Sequence, residues 1–322
     1  MTLMLTPAPA RTRTAAYPLL HAAGRQERVL IVAPHIDDEA IGAAGYTLDS
    51  IANGAEVYVV FLTAGDCNRF SARLMHKTLE PTASNYLSVG EARIAEAALA
   101  MKLLGVSPER FFVLGYPDRG LRMMVDHPNA VVRAEGTRKR AVPYENALTP
   151  GAPYSFGSLM SDMRQVLELT RPTIVIAPVA FDQHADHAAA AEIVDDAIEE
   201  LQIHPQRLGY LVHSGRMATK LVSTPRRPLM PPLRMRSFAW ATYPLSPQVQ
   251  QVKTSVLMAY KSQRPYNLLL RNAFVRGNEL FFVYGSAGVP PAGEAASRRL
   301  TRSARTPSPP TPPRSTAPPS PH

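Results

Sequence analysis

The 322-residue sequence contains one cysteine, Cys67. A single thiol excludes an internal disulfide framework and a cysteine-rich zinc knuckle, and it fits a reducing, cytoplasmic setting. No stretch reaches the roughly 18 consecutive uncharged residues that a membrane-spanning helix requires. Prolines and arginines interrupt the N-terminus, where a secretory signal needs a continuous apolar run. We therefore expect a cytoplasmic protein without a transmembrane segment.

The positive charge of the chain is unevenly distributed. The formal net charge is +9, but residues 286–322 hold five arginines and one glutamate among ten prolines. Such a segment buries too little apolar surface to offset the entropy of ordering, so we expect a disordered Pro/Arg/Ser-rich tail. The charge that remains on the globular part is ordinary and indicates no nucleic-acid partner.

Short apolar runs rich in β-branched residues alternate with segments of helical periodicity. This β-α-β order predicts an α/β fold, a Rossmann-like three-layer sandwich with a mostly parallel central sheet. The clearest strands are predicted at residues 28–34, 55–63, 111–114 and 172–178, and the clearest helices at 39–53, 90–105, 155–170 and 188–201. Weaker patterns predict strands at residues 207–213, 237–243 and 279–284 and a helix at 247–260.

The same pattern predicts the domain limits. We expect an N-terminal arm over residues 1–27, one domain over residues 28–285, and the tail beyond it. Residues 122–154 lack clear periodicity, which is typical of a functional loop region. No glycine-rich phosphate loop follows the first strand, so the sheet is not predicted to bind a dinucleotide.

The first cluster of ionisable residues is His35-Ile36-Asp37-Asp38-Glu39, directly after the first predicted strand. Ligands bind at the carboxyl ends of strands in such a sheet. Ionisable side chains packed this closely would repel and desolvate one another unless a cation or solvent relieved them, and a divalent metal does so well. The competing interpretation is that Asp37 and Asp38 only cap the following helix, which leaves His35 unexplained.

The second cluster is Asp182-Gln183-His184-Ala185-Asp186-His187, which again follows a predicted strand and precedes a helix. Two histidines three residues apart beside an aspartate are a common metal or acid–base arrangement, because a carboxylate fixes the tautomer of a neighbouring imidazole. Solvated loop histidines are the alternative. Two such clusters at strand ends of one sheet favour a joint site.

These two blocks, in this order, resemble the signatures of the PIG-L and LmbE-like zinc-dependent de-N-acetylases, a His-x-Asp-Asp-Glu block followed by a His-x-Asp-His block. Weaker marks extend the resemblance over roughly residues 28–284: Arg93, Glu96, Leu114 to Asp118, Lys253, and Tyr260 to Gln263. The sequence departs from the family pattern at Ile36, where proline is frequent, and at Asp66, where glutamate is frequent. Arg93 and Glu96 share a helical face and are expected to form a structural pair.

The resemblance implies a metal site. It makes His35, Asp38 and His187 the ligands of one divalent ion, with positions left open for water and substrate, as in a catalytic site. Zinc is the expected metal, and ferrous iron suits the same donors.

The resemblance also implies catalytic roles and a substrate class. Asp37 is expected to be the general base that activates the attacking water. His184 is expected to stabilise the oxyanion, with Asp186 orienting it and keeping it protonated. The general acid stays open between Asp37 and His184. The expected reaction is removal of an N-acetyl group from an N-acetylglucosamine-type amino sugar or its conjugate.

Three further residues are candidates for binding this small-molecule substrate. The resemblance suggests that Asp118 contacts sugar hydroxyls, although an aspartate in Pro-Asp-Arg-Gly is equally typical of a turn. Arg69 and His213 lie at the ends of segments predicted to reach the carboxyl edge of the sheet. The sequence leaves open whether the protein forms a homo-oligomer.

Other activities remain open at this point. The same machinery would hydrolyse another amide, such as a thiol conjugate. Two histidines and one carboxylate also match non-haem iron(II) oxygenases, but a carboxylate base beside the metal, Asp37, favours hydrolysis. A non-catalytic sugar-binding protein is the third alternative. The natural substrate is not predictable, because residues 64–88 and 122–154 carry specificity.

Overall fold

The computed structural model describes residues 17–214, 228–263 and 271–285, and it contains a seven-stranded sheet flanked by helices. The strands are β1 (Arg28–Ala33), β2 (Glu56–Thr63), β3 (Phe111–Tyr116), β4 (Ile174–Pro178), β5 (Gln206–Tyr210), β6 (Trp240–Pro244) and β7 (Asn278–Val283). The main helices are α1 (Asp38–Ala52), α2 (Arg69–His76), α3 (Ala83–Leu104), α4 (Leu121–Asp126), α5 (Phe156–Thr170), α6 (Ala185–Glu200) and α7 (Pro247–Ala259). Within these described ranges, no helix is long and apolar enough to cross a bilayer.

The sheet confirms the predicted α/β architecture. Its strand order is β3-β2-β1-β4-β5-β7-β6, in which β1 to β5 are parallel and β7 pairs antiparallel with both β5 and β6. The apolar β1 lies near the middle, and alternate residues enter two different cores. Val29 and Ile31 pack with α1, α3 and α7, whereas Leu30 and Val32 pack with α4, α5 and α6. These two cores make the three layers.

Three helices differ from the sequence prediction. Helix α3 begins at Ala83, before the predicted residue 90, because Thr82 and Asn85 form a capping box. Helix α2 was not predicted, since its buried residues are the small Ser71 and Ala72 and no apolar stripe marks its inner face. The stretch predicted to be irregular, residues 122–154, begins instead with the short helix α4 (Leu121–Asp126). From residue 127 it is irregular apart from an isolated bridge between Ala141 and Pro153.

The end of the expected N-terminal arm contacts the sheet and a helix. The Leu20 amide donates to Thr242 O at 2.9 Å, and the Thr242 amide donates to Pro18 O at 2.8 Å. Ala23 is buried and its amide donates to Ser50 Oγ. The end of the expected arm therefore packs against β6 and α1. The expected tail over residues 286–322 lies outside the described residues.

A buried ion pair interrupts helix α1. Ala43 has non-helical torsions, φ −146° and ψ 15°. The Lys253 ammonium, fully buried on α7, donates to Ile41 O at 2.9 Å and to Glu279 Oε1 at 2.6 Å. The Glu279 carboxylate in turn accepts the amides of Gly45 and Tyr46 at 2.8 and 2.9 Å. The pair thus satisfies polar groups on both sides of the break, and the first turn of α1 is held separately from the rest of the helix.

We expect Lys253→Met to lower the free energy of unfolding by about 3–5 kcal/mol, because Glu279 would lose its buried counter-ion. Urea unfolding followed by circular dichroism measures the change. Lys102→Met, at an exposed position of α3, is the matched control and should change stability by less than about 0.5 kcal/mol. Equally small losses in both variants would show that the ion pair does not hold the interrupted helix.

Candidate active site

The two ionisable clusters meet because β1 and β4 are adjacent parallel strands. Val29 pairs with Ile174 and Ile31 with Ile176, so both strands end at the same edge of the sheet. The loop after β1 carries His35, and the loop after β4 leads into α6, which carries His187. Their imidazole centroids lie 5.3 Å apart. The sheet register therefore builds one site from residues far apart in sequence.

His35, Asp38 and His187 form a compact set of metal-donor atoms. Asp38 Oδ2 lies 3.1 Å from both His35 Nδ1 and His187 Nε2. Ligand atoms around a tetrahedral ion with bonds of about 2.1 Å are about 3.4 Å apart, which is close to these separations. His187 is fully buried, and neither of its ring nitrogens makes a hydrogen bond of good geometry. A buried imidazole without such a partner fits a residue whose partner is a metal ion.

Three other groups of possible metal donors lie at this edge, and each shares an imidazole with the first set. They are His35, His184 and His187; Asp182, His187 and His213; and His35, Asp118 and Asp186. Asp182 accepts three backbone amides and Asp186 accepts two, whereas Asp38 accepts only that of His35. Asp182 and Asp186 are therefore better placed to support the imidazoles than to bind the ion.

Asp182 orients two histidines. Its carboxylate accepts the amides of His184, Val212 and His213 at 2.9, 2.9 and 3.0 Å. It also lies 3.2 Å from His213 Nδ1 and 3.4 Å from His187 Nδ1. Burial opposes ionisation, but these hydrogen bonds and the two imidazoles hold the pKa of Asp182 well below its usual range. Sequence reasoning quoted this residue in the second cluster but assigned it no role.

Asp186 supports His35, which corrects the predicted pairing with His184. The Asp186 carboxylate lies 3.2 Å from His35 Nε2 and accepts the amides of Arg119 and Leu121 at 2.6 and 3.1 Å. It therefore ties the loop after β3 to the first imidazole. Asp186 contacts His184 through its backbone amide and not through its carboxylate: the amide donates to His184 Nδ1 at 3.3 Å.

The surroundings of His184 oppose the protonated form that the family resemblance implies. Burial, together with the positive charge of His35 and His187, lowers the pKa of His184 to about 4. Its ring nevertheless lies beside the site, with centroids 4.8 Å from His35 and 5.0 Å from His213. A neutral ring whose Nδ1 accepts a hydrogen bond carries its proton on Nε2.

Asp37 occupies a strained position next to Asp38. Its torsions are φ 126° and ψ −18°, a region that non-glycine residues avoid at a cost of about 1–3 kcal/mol. Its side chain makes no capping hydrogen bond to α1, so the helix-capping interpretation fails for this residue. Burial raises the pKa of Asp37 to about 7, and the Arg93 guanidinium, 3.4 Å from Oδ2, limits the rise.

Arg93 is a site residue, and the expected pair with Glu96 does not form. The Arg93 guanidinium is buried and donates to the carbonyls of Gly65 and Ile36. Glu96 instead accepts the amide and hydroxyl of Ser262 at 2.8 and 2.7 Å. Helical spacing placed the two residues on one face but could not show that the face is covered by other elements.

Glu39 is a second buried carboxyl group that the sequence left without a role. The Tyr260 hydroxyl donates to its Oε1. Burial raises the pKa of Glu39 to about 8, and the hydrogen bond from Tyr260 opposes the rise. Local sequence pattern could not predict this contact, because the two residues are far apart in the chain. The only indication in the sequence was that both residues belong to the motifs of the family resemblance.

A cavity of about 230 Å³ opens at this edge of the sheet. Of the predicted substrate-binding residues, Asp118 and His213 line it, and Asp118 Oδ2 accepts the Cys67 amide at 2.8 Å. Arg69 does not line it. It is exposed at the start of α2 and borders a neighbouring cavity that shares Cys67. Burial raises the pKa of the Cys67 thiol to about 12, so this thiol is a poor nucleophile.

The fold and the cluster together define an α/β protein with a candidate divalent-metal centre at the carboxyl edge of its sheet. A family model described as PIG-L: GlcNAc-PI de-N-acetylase matches residues 30–198 of the 322. The matched stretch runs from β1 through most of α6 and includes both His/Asp clusters. The chain belongs to this family.

Solved structures with the same fold have different activities. N,N'-diacetylchitobiose deacetylase from Pyrococcus horikoshii is 16% identical, with a TM-score of 0.50, over 84% of this chain and 88% of that protein. The zinc-inhibited form of teicoplanin deacetylase is 19% identical, with a TM-score of 0.51, over 80% and 97%. The 4-carboxy-2-hydroxymuconate hydratase from Pseudomonas putida KT2440 is 14% identical, with a TM-score of 0.50, over 82% and 98%. At these identities the likeness shows the fold alone.

We expect Asp182→Asn to weaken binding of added zinc, the probe ion for the candidate metal site, about 10–100-fold, because an amide cannot hold both imidazoles in place as the carboxylate does. Competition with a chromogenic chelator measures the zinc affinity. Asp126→Asn, at an exposed carboxylate on α4, is the control and should leave it unchanged. Wild-type affinity in Asp182→Asn would show that Asp182 does not orient a ligand.

Proposed function

We propose that the protein is a metal-dependent N-deacetylase that acts on an N-acetylglucosamine-type amino sugar or its conjugate. Family membership supports hydrolysis of an N-acetyl group. The observation that carries the proposal is the position of Asp37, a buried carboxyl group that lines the same cavity as His35 and Asp38. A mere metal-binding site has no use for a further carboxyl group beside its ligands.

His35, Asp38 and His187 would hold the ion through His35 Nδ1, Asp38 Oδ2 and His187 Nε2, the atoms that face one another. Two imidazoles and a carboxylate suit zinc and also ferrous iron, and we propose zinc. A divalent ion bound there polarises the amide carbonyl and acidifies water. Asp186 lies beside His35 Nε2 and Asp182 lies beside His187 Nδ1, so each carboxylate orients an imidazole through the nitrogen that does not face the ion.

Asp37 acts as the general base. Its pKa of about 7 lets it accept a proton from the attacking water and return one near neutral pH. The Arg93 guanidinium beside it keeps the carboxylate form accessible despite burial. The strained backbone supports this role, because strain of this kind persists where the surrounding structure holds a functional group in place.

His184 donates a hydrogen bond to the developing oxyanion as a neutral imidazole. Its Nδ1 accepts the Asp186 amide, so the proton on Nε2 is the one available to a ligand in the cavity that His184 lines. Asp37, once protonated, is then the group that delivers a proton to the leaving amine. We therefore propose Asp37 as the general acid, which the sequence leaves open between Asp37 and His184.

Asp118 and His213 are proposed to contact the sugar. Both line the cavity, and Asp118 is anchored by the Cys67 amide and lies 3.4 Å from His35 Nε2. The related enzymes are deacetylases of diacetylchitobiose and of teicoplanin, which favours an N-acetylated amino sugar here as well. Arg69 would reach only a substrate long enough to extend past Cys67.

We expect Asp37→Asn to keep zinc but to lower kcat at least about 100-fold, because the amide cannot accept the proton. His187→Ala should lose both zinc and activity, because a ligand is gone. Metal content by mass spectrometry and acetate release are measured on the same samples. His204→Ala, an exposed histidine, is the control. Full activity in Asp37→Asn would refute its role as the base.

We expect zinc-loaded protein to release acetate from at least one N-acetylglucosamine conjugate in a panel linked to inositol, malate, nucleotide, lipid and oligosaccharide. Asp37→Asn on the same panel is the control for contaminating activity. If only a thiol-conjugate amide were cleaved, the substrate would be that amide and not an amino sugar. Turnover that requires dioxygen would indicate an iron oxygenase, and binding without acetate release would indicate a sugar-binding protein.

A further inference from the structure

Helix α2 has an inverted pattern of burial. Its inward face consists of the small residues Ser71 and Ala72, which are buried. Its large apolar side chains point outward: Leu74 and Met75 are 57% and 40% exposed, and Leu79, just beyond the helix, is 80% exposed. Phe70 is 44% exposed at the start of the same helix. Exposed apolar residues concentrated in ten consecutive positions mark a contact surface more than ordinary scatter does.

The exposed face is preorganised. Asn68 caps α2 by accepting the Ser71 amide, and its side-chain amide donates to Gln263 Oε1 at 3.0 Å. The Ser71 hydroxyl donates to Ser262 O at 2.8 Å. Arg73 Nε donates to Leu79 O at 2.8 Å, which fixes the turn that follows the helix. The apolar side chains are therefore displayed on a rigid support, so their burial against another surface requires little further ordering.

Basic side chains surround these apolar residues. Arg69, Arg73 and Lys77 belong to the same segment and recur every four residues. The opposite wall of the adjoining cavity, about 260 Å³ in volume, carries Arg138. That wall continues in an exposed basic stretch: Arg133, Arg138, Lys139 and Arg140. Glu80 and Glu135 offset only part of this charge.

We propose that the α2 surface, comprising Arg69 to Leu79 with the basic stretch from Arg133 to Arg140, docks on an anionic lipid bilayer. Exposed leucine and methionine flanked by arginine and lysine are the pattern of an interfacial helix, whose apolar residues enter the headgroup boundary while its cations meet anionic lipids. A nucleic acid would match the cations but would leave Leu74 and Leu79 in water. A second copy of this basic surface would oppose like charges.

Docking on this surface would place the entrance of the active-site cavity beside the lipid headgroups. Cys67 and Asn68, which precede α2, line that cavity, and Cys67 also borders the cavity next to Arg69. The surface is inferred from α2 and its neighbours alone, and it stands whether or not the site is a deacetylase.

The full-length protein is tested for co-sedimentation with vesicles of phosphatidylcholine alone and with added phosphatidylglycerol. We expect binding only to the anionic vesicles, with weakening at high salt. Leu74→Glu/Leu79→Glu should reduce the affinity at least about tenfold, because two apolar contacts are lost. Lys77→Gln/Arg138→Gln should reduce it about 25-fold, at about fivefold per basic residue.

Matched controls separate this surface from general charge and hydrophobicity. Leu99→Glu/Leu169→Glu replaces exposed leucines on other helices, and Lys102→Gln/Arg234→Gln removes the same charge elsewhere. Both should bind like the parent protein. Because the only tryptophan, Trp240, is buried, Leu74→Trp provides a second readout. Its emission should shift to the blue on anionic vesicles.

Three outcomes would overturn the proposal. The first is absence of binding to anionic vesicles, or binding that the leucine substitutions leave intact. The second is binding to DNA of comparable strength that depends on the basic residues and not on the leucines. The third is a sedimentation velocity profile in which the protein self-associates, Leu74→Glu/Leu79→Glu dissociates it, and vesicles do not bind.

Discussion

The burial of three consecutive carboxyl groups beside imidazoles is the constraint on which the site depends. Asp37, Asp38 and Glu39 are all withdrawn from water at the start of α1. Burial opposes the ionisation of each, yet His187 and His35 hold the pKa of Asp38 well below its usual range. Arg93 and Tyr260 contact Asp37 and Glu39, but burial outweighs these contacts and raises the pKa values of both carboxyl groups. One carboxyl group that favours its anionic form thus lies between two whose ionisation is opposed by burial.

The surrounding fold satisfies this constraint with backbone and side-chain donors from distant segments. Arg93 on α3 reaches Asp37, and Tyr260 after α7 reaches Glu39. The Lys253–Glu279 pair holds the first turn of α1 as a unit of its own by occupying the polar groups at the break. Residues distant in sequence therefore converge on the first turn of α1.

The features that could be predicted from the sequence are those that a local residue pattern determines. Alternating apolar runs and helical periodicity located most strands and helices, and the strand ends placed both ionisable clusters at one edge. The sequence could not predict which carboxylate supports which imidazole, because Asp186 turns toward His35 and not toward the adjacent His184. It also missed the contact of Arg93 with Asp37, which depends on how α3 packs against the loop after β1. Partner choice among close ionisable groups is decided by tertiary geometry.

The same fold in two deacetylases and a hydratase shows that the sheet edge by itself does not select a reaction. Selection must come from side chains that face the cavity and from their protonation. Here the environment distinguishes them: burial raises the pKa of Asp37 to about 7, whereas burial and the positive charge of neighbouring imidazoles lower the pKa of His184 to about 4. The proposed mechanism uses this difference, because amide hydrolysis needs one group that activates water and another that stabilises the charge forming on the carbonyl oxygen.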